Sequence, residues 1–468
     1  MDEIIYTPAS ILAGLIRTRT ISCEEVVDAH LQRIEEVNPK LNAVVQMTAD
    51  TARAQAREAD ADLSRGVIKG PLHGVPVTVK DAFETAGMIS AAGTQGRESF
   101  VPYRDATAVA RLRAAGAIIL GKTNVPELSL VYETDNLVYG RTNNPYDLSR
   151  TPGGSSGGEA AIIAACGSPL GLGSDCAGSI RVPAHFCGIA GIKPTTGLVP
   201  ATGHFPLNVW VMERLTAVGP IARCVEDLGL VLPIIAGVDW RDPAVMPASP
   251  GNPGNVDLRN LRVAFFTDNG VSTPTPETVE SVCSAAKALS YAGSEVDEAR
   301  PEGIEECHDI MSLLLAADGG AGVRILLQMA GTANAHPLTE QVLVSMRSSA
   351  MSIGEFSGLM VRWHFFRSAM LTFMQRYDAV LCPVCACPAL PHGTAAMAEM
   401  AAAFSYAAAF NLTGWPAATV RVGTSPEGLP IGVQVAARPW REDVALAAAR
   451  QIETASGGWQ HAAINGVR

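Results

Sequence analysis

The chain has 468 residues, of which 48% are hydrophobic, and this is enough to bury a large core. Its 35 basic and 46 acidic residues give a net charge of −11, which argues against a protein whose main role is to hold phosphate backbones. Ten cysteines are too dilute for a disulfide scaffold, so we expect them to be reduced thiols.

Residues 1–7 are acidic and contain no extended apolar run, so they do not have the pattern of a signal peptide. No uninterrupted apolar stretch reaches the length of a membrane span, because runs such as 160–166 are soon broken by glycine and proline. We therefore expect a soluble, cytoplasmic protein that binds neither a membrane nor nucleic acid.

The first 65 residues are predicted to form helices. Ser22 and Glu25 have the spacing of a capping box before an apolar helical pattern. The Asn38-Pro39 pair is expected to end that helix, and a further helix is expected over residues 48–64.

From residue 72 short apolar runs alternate with helical segments. The runs cover residues 75–79, 118–120 and 170–172, and the helical segments cover 106–114 and 159–165. This alternation is typical of an α/β layer structure.

The second half of the chain contains a long helical stretch between two sheet-forming regions. Residues 240–260, rich in Pro, Asp, Gly and Asn, are predicted to form a surface excursion. A strand is expected at 263–266, and mostly helical structure follows to about residue 376. Sheet-forming runs return at 379–382, 418–422 and 431–435.

Two serines lie in glycine-rich turns near the middle of the chain. Ser155 lies in the segment PGGSSGG, and Ser179 ends the segment GSDCAGS. Glycine lets the backbone approach a substrate closely, and a serine hydroxyl becomes a nucleophile when a base removes its proton. Lys80 ends an apolar alternating run and completes a Ser-Ser-Lys set.

These segments occur in order with GKTN at 121–124, GIAGIKPT at 188–195 and NLTGWPA at 411–417. Together they resemble the amidase signature family of Ser-cisSer-Lys amidohydrolases, and the bacterial amidase and acylamidase type in particular. The resemblance covers nearly the whole chain. It implies an α/β fold with a mixed, twisted central β-sheet surrounded by α-helices.

The resemblance implies one amidase domain over residues 1–468. We expect it to comprise N-terminal helices, a catalytic core, a mostly helical excursion and a return to the sheet. The corresponding residues are 1–65, 66–240, 241–376 and 377–468.

The resemblance also implies catalytic roles. Ser179 would be the nucleophile, Ser155 the bridging serine that follows a cis peptide bond, and Lys80 the base. Lysine titrates near 10.4 in water, so a lysine base must be buried or otherwise disfavoured in its charged form.

The same resemblance implies an oxyanion hole formed by backbone N–H groups, with supporting residues around it. The N–H groups would come from Cys176, Ala177, Gly178 and Ser179. Ser156 is expected to hydrogen-bond Lys80, and Asp175 and Arg181 to brace the loop. The family usually has glycine where this chain has Ala177, and we expect the extra Cβ to be tolerated.

The activity implied is hydrolysis of carboxylic amides through an acyl-enzyme, with no metal and no cofactor. Esters and carbamates (urethanes) present the same kind of carbonyl to such an enzyme. The apolar segment 205–212, with Phe205, Trp210 and Met212, either lines a pocket for apolar or aryl amides or packs in the core. Residues 311–315 form a second apolar face.

A glutamine-hydrolysing subunit of an aminoacyl-tRNA amidotransferase is the alternative function. Such subunits carry a different segment where this chain has TGLVPATGH at 196–204, and no arginine stands out as a clamp for the carboxylate of glutamine. The family is often dimeric, so a homodimer is a further expectation.

Two other motifs have competing interpretations. The segment CPVCAC at 382–387 has the CxxC spacing of a metal site, but no second ligand cluster accompanies it and packing is favoured. His185 follows Ser179 closely and suggests a Ser-His pair, but a supporting or packing role is favoured for it as well.

Overall fold

The computed structural model describes residues 2–395 and 397–464. Eleven strands in this part of the chain form one sheet. In chain order they are β1 (Val44–Met47), β2 (Pro76–Lys80), β3 (Ile118–Thr123), β4 (Leu170–Asp175), β5 (Ala190–Lys193), β6 (Ala217–Ala222), β7 (Arg262–Phe265), β8 (Glu295–Glu298), β9 (Ala379–Pro383), β10 (Ala417–Thr424) and β11 (Pro430–Ala437).

Sixteen α-helices in the described residues surround this sheet. They are α1 (Asp2–Tyr6), α2 (Ala9–Arg17), α3 (Cys23–Leu41), α4 (Ala49–Ser64), α5 (Thr107–Ala114), α6 (Gly157–Ala164), α7 (Arg181–Phe186), α8 (Val211–Leu215), α9 (Val225–Ile235), α10 (Pro276–Tyr291), α11 (Glu306–Ala316), α12 (Ala321–Ala330), α13 (Pro337–Met346), α14 (Ile353–Phe373), α15 (Ser405–Thr413) and α16 (Glu442–Ser456).

The strand order across the sheet is β1-β3-β2-β4-β6-β5-β10-β11-β9-β7-β8. Strands β3, β2 and β4 run parallel to one another, as do β9, β7 and β8, and all other neighbours are antiparallel. The α/β class and the mixed central sheet predicted from the sequence are therefore confirmed.

The N-terminal region differs in two details from its prediction. The capping box at Ser22 and Glu25 is present, but α3 continues through Pro39 and ends where Asn42 adopts a left-handed conformation. Asn38 accepts hydrogen bonds from the N–H groups of Ala43 and Val44, and this turns the chain into β1. Strand β1 was not predicted, because its four residues are too few for a period-2 pattern.

Strands β5, β6 and β8 were not predicted from the sequence either, and β8 shows one reason why. It lies at one edge of the sheet, and its residues Glu295–Glu298 are exposed or only half-buried. Charged residues are common on such edges because they discourage pairing with another chain. An acidic edge strand therefore lacks the apolar pattern by which strands are predicted.

The position of the glycine-rich turns follows from the parallel strands β2 and β4. Every residue of both strands is buried, and Val79 is paired with Leu172. The carboxyl ends of neighbouring parallel strands lie side by side, so Lys80 and the segment after β4 lie together. The first serine turn lies at the same strand ends, and helix α6 begins directly after its Ser156.

A buried ion pair connects the carboxyl end of β4 to distant parts of the fold. The guanidinium of Arg181, at the start of α7, lies 3.0 Å from the carboxylate of Asp175, and both side chains are fully buried. It also donates to the carbonyl of Ala407 on α15 and to the side chain of Gln434 on β11. Segments far apart in sequence therefore meet at one side chain.

No single described helix is long and apolar enough to cross a membrane. Helices α11 and α12 meet that criterion only as a pair, and the pair is bent by 51°.

Replacing Arg181 with Met is expected to lower the free energy of unfolding by about 3–5 kcal/mol, because it leaves the buried carboxylate of Asp175 without its partner. Arg362→Met is the matched control: its guanidinium pairs with Glu306 at the surface, and such pairs contribute about 0–1 kcal/mol. Denaturant midpoints of the two variants provide the comparison. Equal midpoints would contradict the importance given to the buried pair.

Candidate active site

Lys80 is the last residue of β2, and its side chain is fully buried. Its Nζ lies 2.7 Å from Oγ of Ser155 and 2.9 Å from Oγ of Ser174. Burial lowers the pKa of Lys80 to about 7, against the opposing effects of the charges on Asp175 and Glu159. The amine is therefore buried, as a lysine base requires.

Ser155 follows a cis peptide bond, Gly154–Ser155, as the family resemblance implies. Gly154 is packed so closely that a Cβ there would lie 2.5 Å from the carbonyl oxygen of Val131. The N–H of the next residue, Ser156, donates to the carbonyl of Ser179 over 3.2 Å. This hydrogen bond joins the two serine turns, and the structure therefore brings Lys80, Ser155 and Ser179 into one region.

Ser174, rather than Ser156, receives the second hydrogen bond of Lys80. The hydroxyl of Ser156 instead donates to the carbonyl oxygen of Ser174 over 3.4 Å, which corrects the expectation that Ser156 contacts the lysine. Ser174 is next to last in β4, beside the end of β2, so strand adjacency decides the contact. Its Oγ also lies 2.9 Å from Nε2 of His204, and neither residue was identified from the sequence.

Asp175 and Arg181 brace the loop before Ser179, as expected. The Asp175 carboxylate accepts hydrogen bonds from the backbone N–H groups of Gly178, Ile180 and Arg181 and from the Arg181 guanidinium. Burial alone raises the pKa of Asp175, but the charge and hydrogen bonds of Arg181 outweigh it and hold that pKa well below its ordinary value. The carboxylate is therefore a fixed anion that shapes the loop.

The predicted oxyanion hole needs one correction. The N–H of Gly178 donates to Asp175 over 2.7 Å and is not available to a ligand. The N–H groups of Cys176, Ala177 and Ser179 have no hydrogen-bond partner within the described ranges. The candidate oxyanion hole therefore consists of these three groups.

The backbone of the same loop explains why Ala177 is tolerated. Gly178 has a φ of 124°, a conformation that favours glycine, whereas Ala177 is not among the described residues with positive φ. The carbonyl of Ala177 accepts a hydrogen bond of 2.7 Å from the hydroxyl of Tyr132. The position whose backbone favours glycine is therefore 178, and the backbone at Ala177 does not need glycine.

A cavity of about 340 Å³ reaches this loop at Ala177. Its apolar wall includes Leu130, Val131, Tyr132, Met311, Leu315, Phe404 and Ala408. Tyr132 and Phe404 stack with their ring centroids 4.0 Å apart. Among the described residues, five further polar side chains line the cavity: His308, Ser312, Gln341, Ser345 and Ser405.

The candidate pocket residues named from the sequence do not line this cavity. Phe205 is buried in a separate cluster, with the guanidinium of Arg97 4.1 Å from its ring centroid. Trp210 is half-exposed and packs against Phe356, and the sulfur of Met212 lies 4.0 Å from Sγ of Cys176. The apolar face at 311–315, in contrast, does contribute to the cavity wall.

His185 and the CPVCAC segment have packing roles. Nδ1 of His185 accepts a hydrogen bond from the N–H of Gly432, and Nε2 donates to the carbonyl of Cys387, so both ring nitrogens are engaged. Cys382 and Cys385 are fully buried. Within residues 2–395 and 397–464, no three His, Cys, Asp or Glu side chains are grouped so as to hold a metal ion.

Comparison with known proteins shows the family to which the chain belongs. The model of the Amidase family matches residues 25–446. Human fatty-acid amide hydrolase 2 is 33% identical over 96% of this chain and 88% of its own length. Acylamidase from Rhodococcus erythropolis is 33% identical over 97% of this chain and 96% of its own.

A protein of the alternative class is equally similar in sequence. One of the subunits of glutamyl-tRNA(Gln) amidotransferase from Acidothermus cellulolyticus is 34% identical over 97% of this chain and 96% of its own. Among solved structures, 6-aminohexanoate cyclic dimer hydrolase superposes with a TM-score of 0.85 at 27% identity, covering 97% of both chains. The chain therefore belongs to the amidase signature family and is a hydrolase that acts on the C–N bonds of amides.

Proposed function

We propose that the protein hydrolyses small carboxylic amides with an apolar or aryl acyl group through a covalent acyl-enzyme on Ser179. The observation that carries this proposal is the 2.7 Å contact between the buried amine of Lys80 and the hydroxyl of Ser155. A lysine with a pKa of about 7 is neutral in a large fraction of molecules at neutral pH, so it is able to accept a proton.

The proposed reaction begins with a proton relay. Neutral Lys80 accepts the proton of Ser155, and Ser155 accepts that of Ser179, whose oxygen attacks the carbonyl carbon. The negative charge on the carbonyl oxygen is stabilised by the free N–H groups of Cys176, Ala177 and Ser179. The C–N bond then breaks, the departing amine takes the proton back through Ser155, and the acyl group remains on Ser179.

Deacylation repeats the relay with water. Water gives a proton through Ser155 to Lys80 and attacks the acyl carbon, and the carboxylic acid leaves as Ser179 regains its proton. Esters and carbamates follow the same two steps, since each has an electrophilic carbonyl and a heteroatom that departs. We therefore propose these as additional substrates.

The cavity supports an apolar acyl group over glutamine. Among the described residues, the side chains that line it include no lysine, arginine, aspartate or glutamate, and His308 is the one titratable group other than tyrosine. Glutamine carries both a carboxylate and an ammonium group, and burying either without a charged partner is unfavourable. This argument favours an amidase over a glutamine-hydrolysing subunit.

Each of the variants Ser179→Ala, Ser155→Ala and Lys80→Met is expected to lower kcat/KM by about three to six orders of magnitude, as removal of a member of a catalytic triad does. Turnover should be measured on a short aliphatic amide, an aryl anilide, a p-nitrophenyl ester, an aryl carbamate and glutamine. Covalent labelling by a fluorophosphonate should be lost in Ser179→Ala. Ser168→Ala is the control, because Ser168 is also buried but its hydroxyl bonds the carbonyl of Leu170.

Full activity of Ser179→Ala would contradict the proposed nucleophile. Turnover of glutamine alone, stimulated by a second subunit, would favour the amidotransferase function.

The pH dependence should report the titration of Lys80. Its folded-state pKa of about 7 means that the amine is protonated and inactive as a base below pH 7 and neutral above it. For an uncharged substrate, kcat/KM is expected to rise with pH by about tenfold per unit below the pKa and to level off above it. A constant kcat/KM from acid to alkaline pH would contradict the assignment of Lys80 as the base.

The cavity wall offers a test of acyl-group preference. Leu315→Asn places a polar amide in the apolar wall and is expected to lower kcat/KM for long-chain or aryl acyl groups by about tenfold, with a smaller effect on acetyl groups. Leu313→Asn is the matched control, since Leu313 is also partly buried on α11 but does not line the cavity. Equal losses for all acyl groups would show that the cavity does not select the substrate.

A further inference from the structure

Besides Ser155, Lys80 is connected to a second chain of hydrogen-bonding groups. This chain consists of the hydroxyl of Ser174, the ring of His204 and the carbonyl of Pro206. Oγ of Ser174 lies 2.9 Å from the lysine nitrogen and 2.9 Å from Nε2 of His204. On the other side of the ring, Nδ1 lies 2.9 Å from the carbonyl oxygen of Pro206. Ser174 and His204 are both buried, so no bulk water interrupts this chain.

The carbonyl at the end of the chain fixes the direction of every hydrogen bond in it. A carbonyl oxygen only accepts, so Nδ1 of His204 must carry the hydrogen. In a neutral imidazole Nε2 is then an acceptor, and the hydroxyl hydrogen of Ser174 points toward it. The oxygen of Ser174 consequently offers lone pairs to Lys80 and accepts one of its N–H groups.

This direction determines where the lone pair of the lysine points. A neutral lysine amine has two hydrogens and one lone pair. Because Ser174 accepts an N–H and cannot donate to the amine, the lone pair is left for the hydroxyl of Ser155. We infer that His204 is a positioning residue that keeps the lone pair of Lys80 directed at Ser155.

Without His204, the hydroxyl of Ser174 would have no acceptor on that side. Its hydrogen would then be free to turn toward Lys80 and occupy the lone pair. Ser174 would compete with Ser155 for the same site on the amine, and the first proton transfer would be suppressed. His204 therefore acts through Ser174, and it does not itself contact a reacting atom.

The surroundings of His204 hold the ring in this orientation. The ring packs edge-on against Phe83 with centroids 5.1 Å apart, and the N–H of Phe205 donates to the carbonyl of Ala82 over 2.8 Å. The charged group that faces it is Lys80 on β2, while β4 contributes the neutral Ser174. Burial, and then the charge of Lys80, lower the pKa of His204 to about 4, so the ring is neutral at ordinary assay pH.

The test is a double-mutant cycle that combines His204→Phe with Ser174→Ala. In the presence of Ser174, His204→Phe is expected to lower kcat/KM and the rate of labelling by a fluorophosphonate by about 10- to 100-fold, with KM little changed. In the Ser174→Ala background there is no hydroxyl to compete for the lone pair, so His204→Phe should cause almost no further loss. A packing role predicts equal losses in both backgrounds.

The pH profile gives a second readout. A Ser174 hydroxyl that donates to Lys80 stabilises the neutral amine, so the acid limb of kcat/KM should move to lower pH in His204→Phe while its plateau falls. His204→Gln should keep much of the activity that His204→Phe loses, because the side-chain amide has an oxygen that accepts and an NH2 group that donates. An unshifted acid limb, or a His204→Gln variant as impaired as His204→Phe, would overturn the inference.

Phe83→Leu is the control for packing around the ring. It removes the edge-on contact and leaves the hydrogen-bonding groups of His204 and Ser174 in place, so its effect should be far smaller than that of His204→Phe. Thermal unfolding of each variant separates loss of fold from loss of activity. If His204→Phe does not fold, His204→Leu takes its place in the cycle, because leucine also lacks both hydrogen-bonding nitrogens of the ring.

The inference rests on the proposed role of Lys80 as the base, and the two fail in different ways. An active Ser179→Ala or Lys80→Met variant would contradict the proposed function. Inactive Ser179→Ala and Lys80→Met variants together with additive effects of His204→Phe and Ser174→Ala would overturn only the role of His204.

Discussion

The cost of burying an amine is the constraint on which the site depends. Lys80, Lys122 and Lys193 are all fully buried, but their partners differ. Lys122 lies 3.5 Å from a carboxylate oxygen of Asp81, which favours its charged form and opposes the effect of burial on its pKa. Lys80 contacts two hydroxyl groups and, within the described chain, forms no ion pair. Hydroxyl groups accept N–H hydrogens but do not neutralise a charge, so burial favours the neutral amine at Lys80.

This balance requires that nearby negative charge be bound elsewhere. Asp175 directly follows Ser174, and its charge raises the pKa of Lys80. The pair with Arg181 and three backbone N–H groups occupies the carboxylate and turns it toward the loop. The same interactions engage the N–H of Gly178 and remove it from the candidate oxyanion hole. One buried ion pair therefore connects the shape of the loop, the number of free N–H donors and the protonation of the lysine.

The sequence predicts those parts of the molecule that depend on local pattern. Buried strands such as β2 and β4 are short apolar runs, and the capping box at Ser22 defines a helix start, so both were predicted correctly. Contacts between distant segments were not predictable in this way. Ser174 meets Lys80 because β2 and β4 are adjacent, and His204 reaches Ser174 from a loop thirty positions later in the chain. The sequence left the role of the apolar segment with Trp210 open between a pocket wall and core packing, because apolar character alone does not distinguish the two.

The division of the fold also explains why relatives of different function are equally similar in sequence. The residues proposed for catalysis lie on or beside β2, β4 and α6, near the carboxyl ends of these two interior strands. Much of the cavity wall comes instead from α11, α13 and the segment around Phe404, outside the strands. The cavity meets the loop before Ser179 at Ala177, and Tyr132 stacks on Phe404 and donates to the carbonyl of Ala177. The side chains of the helices are therefore able to differ without a change in the residues of the loop or in the lysine. Substrate class should therefore follow the side chains of these helices, and a glutamine-specific relative should differ from this chain by charged residues on that wall.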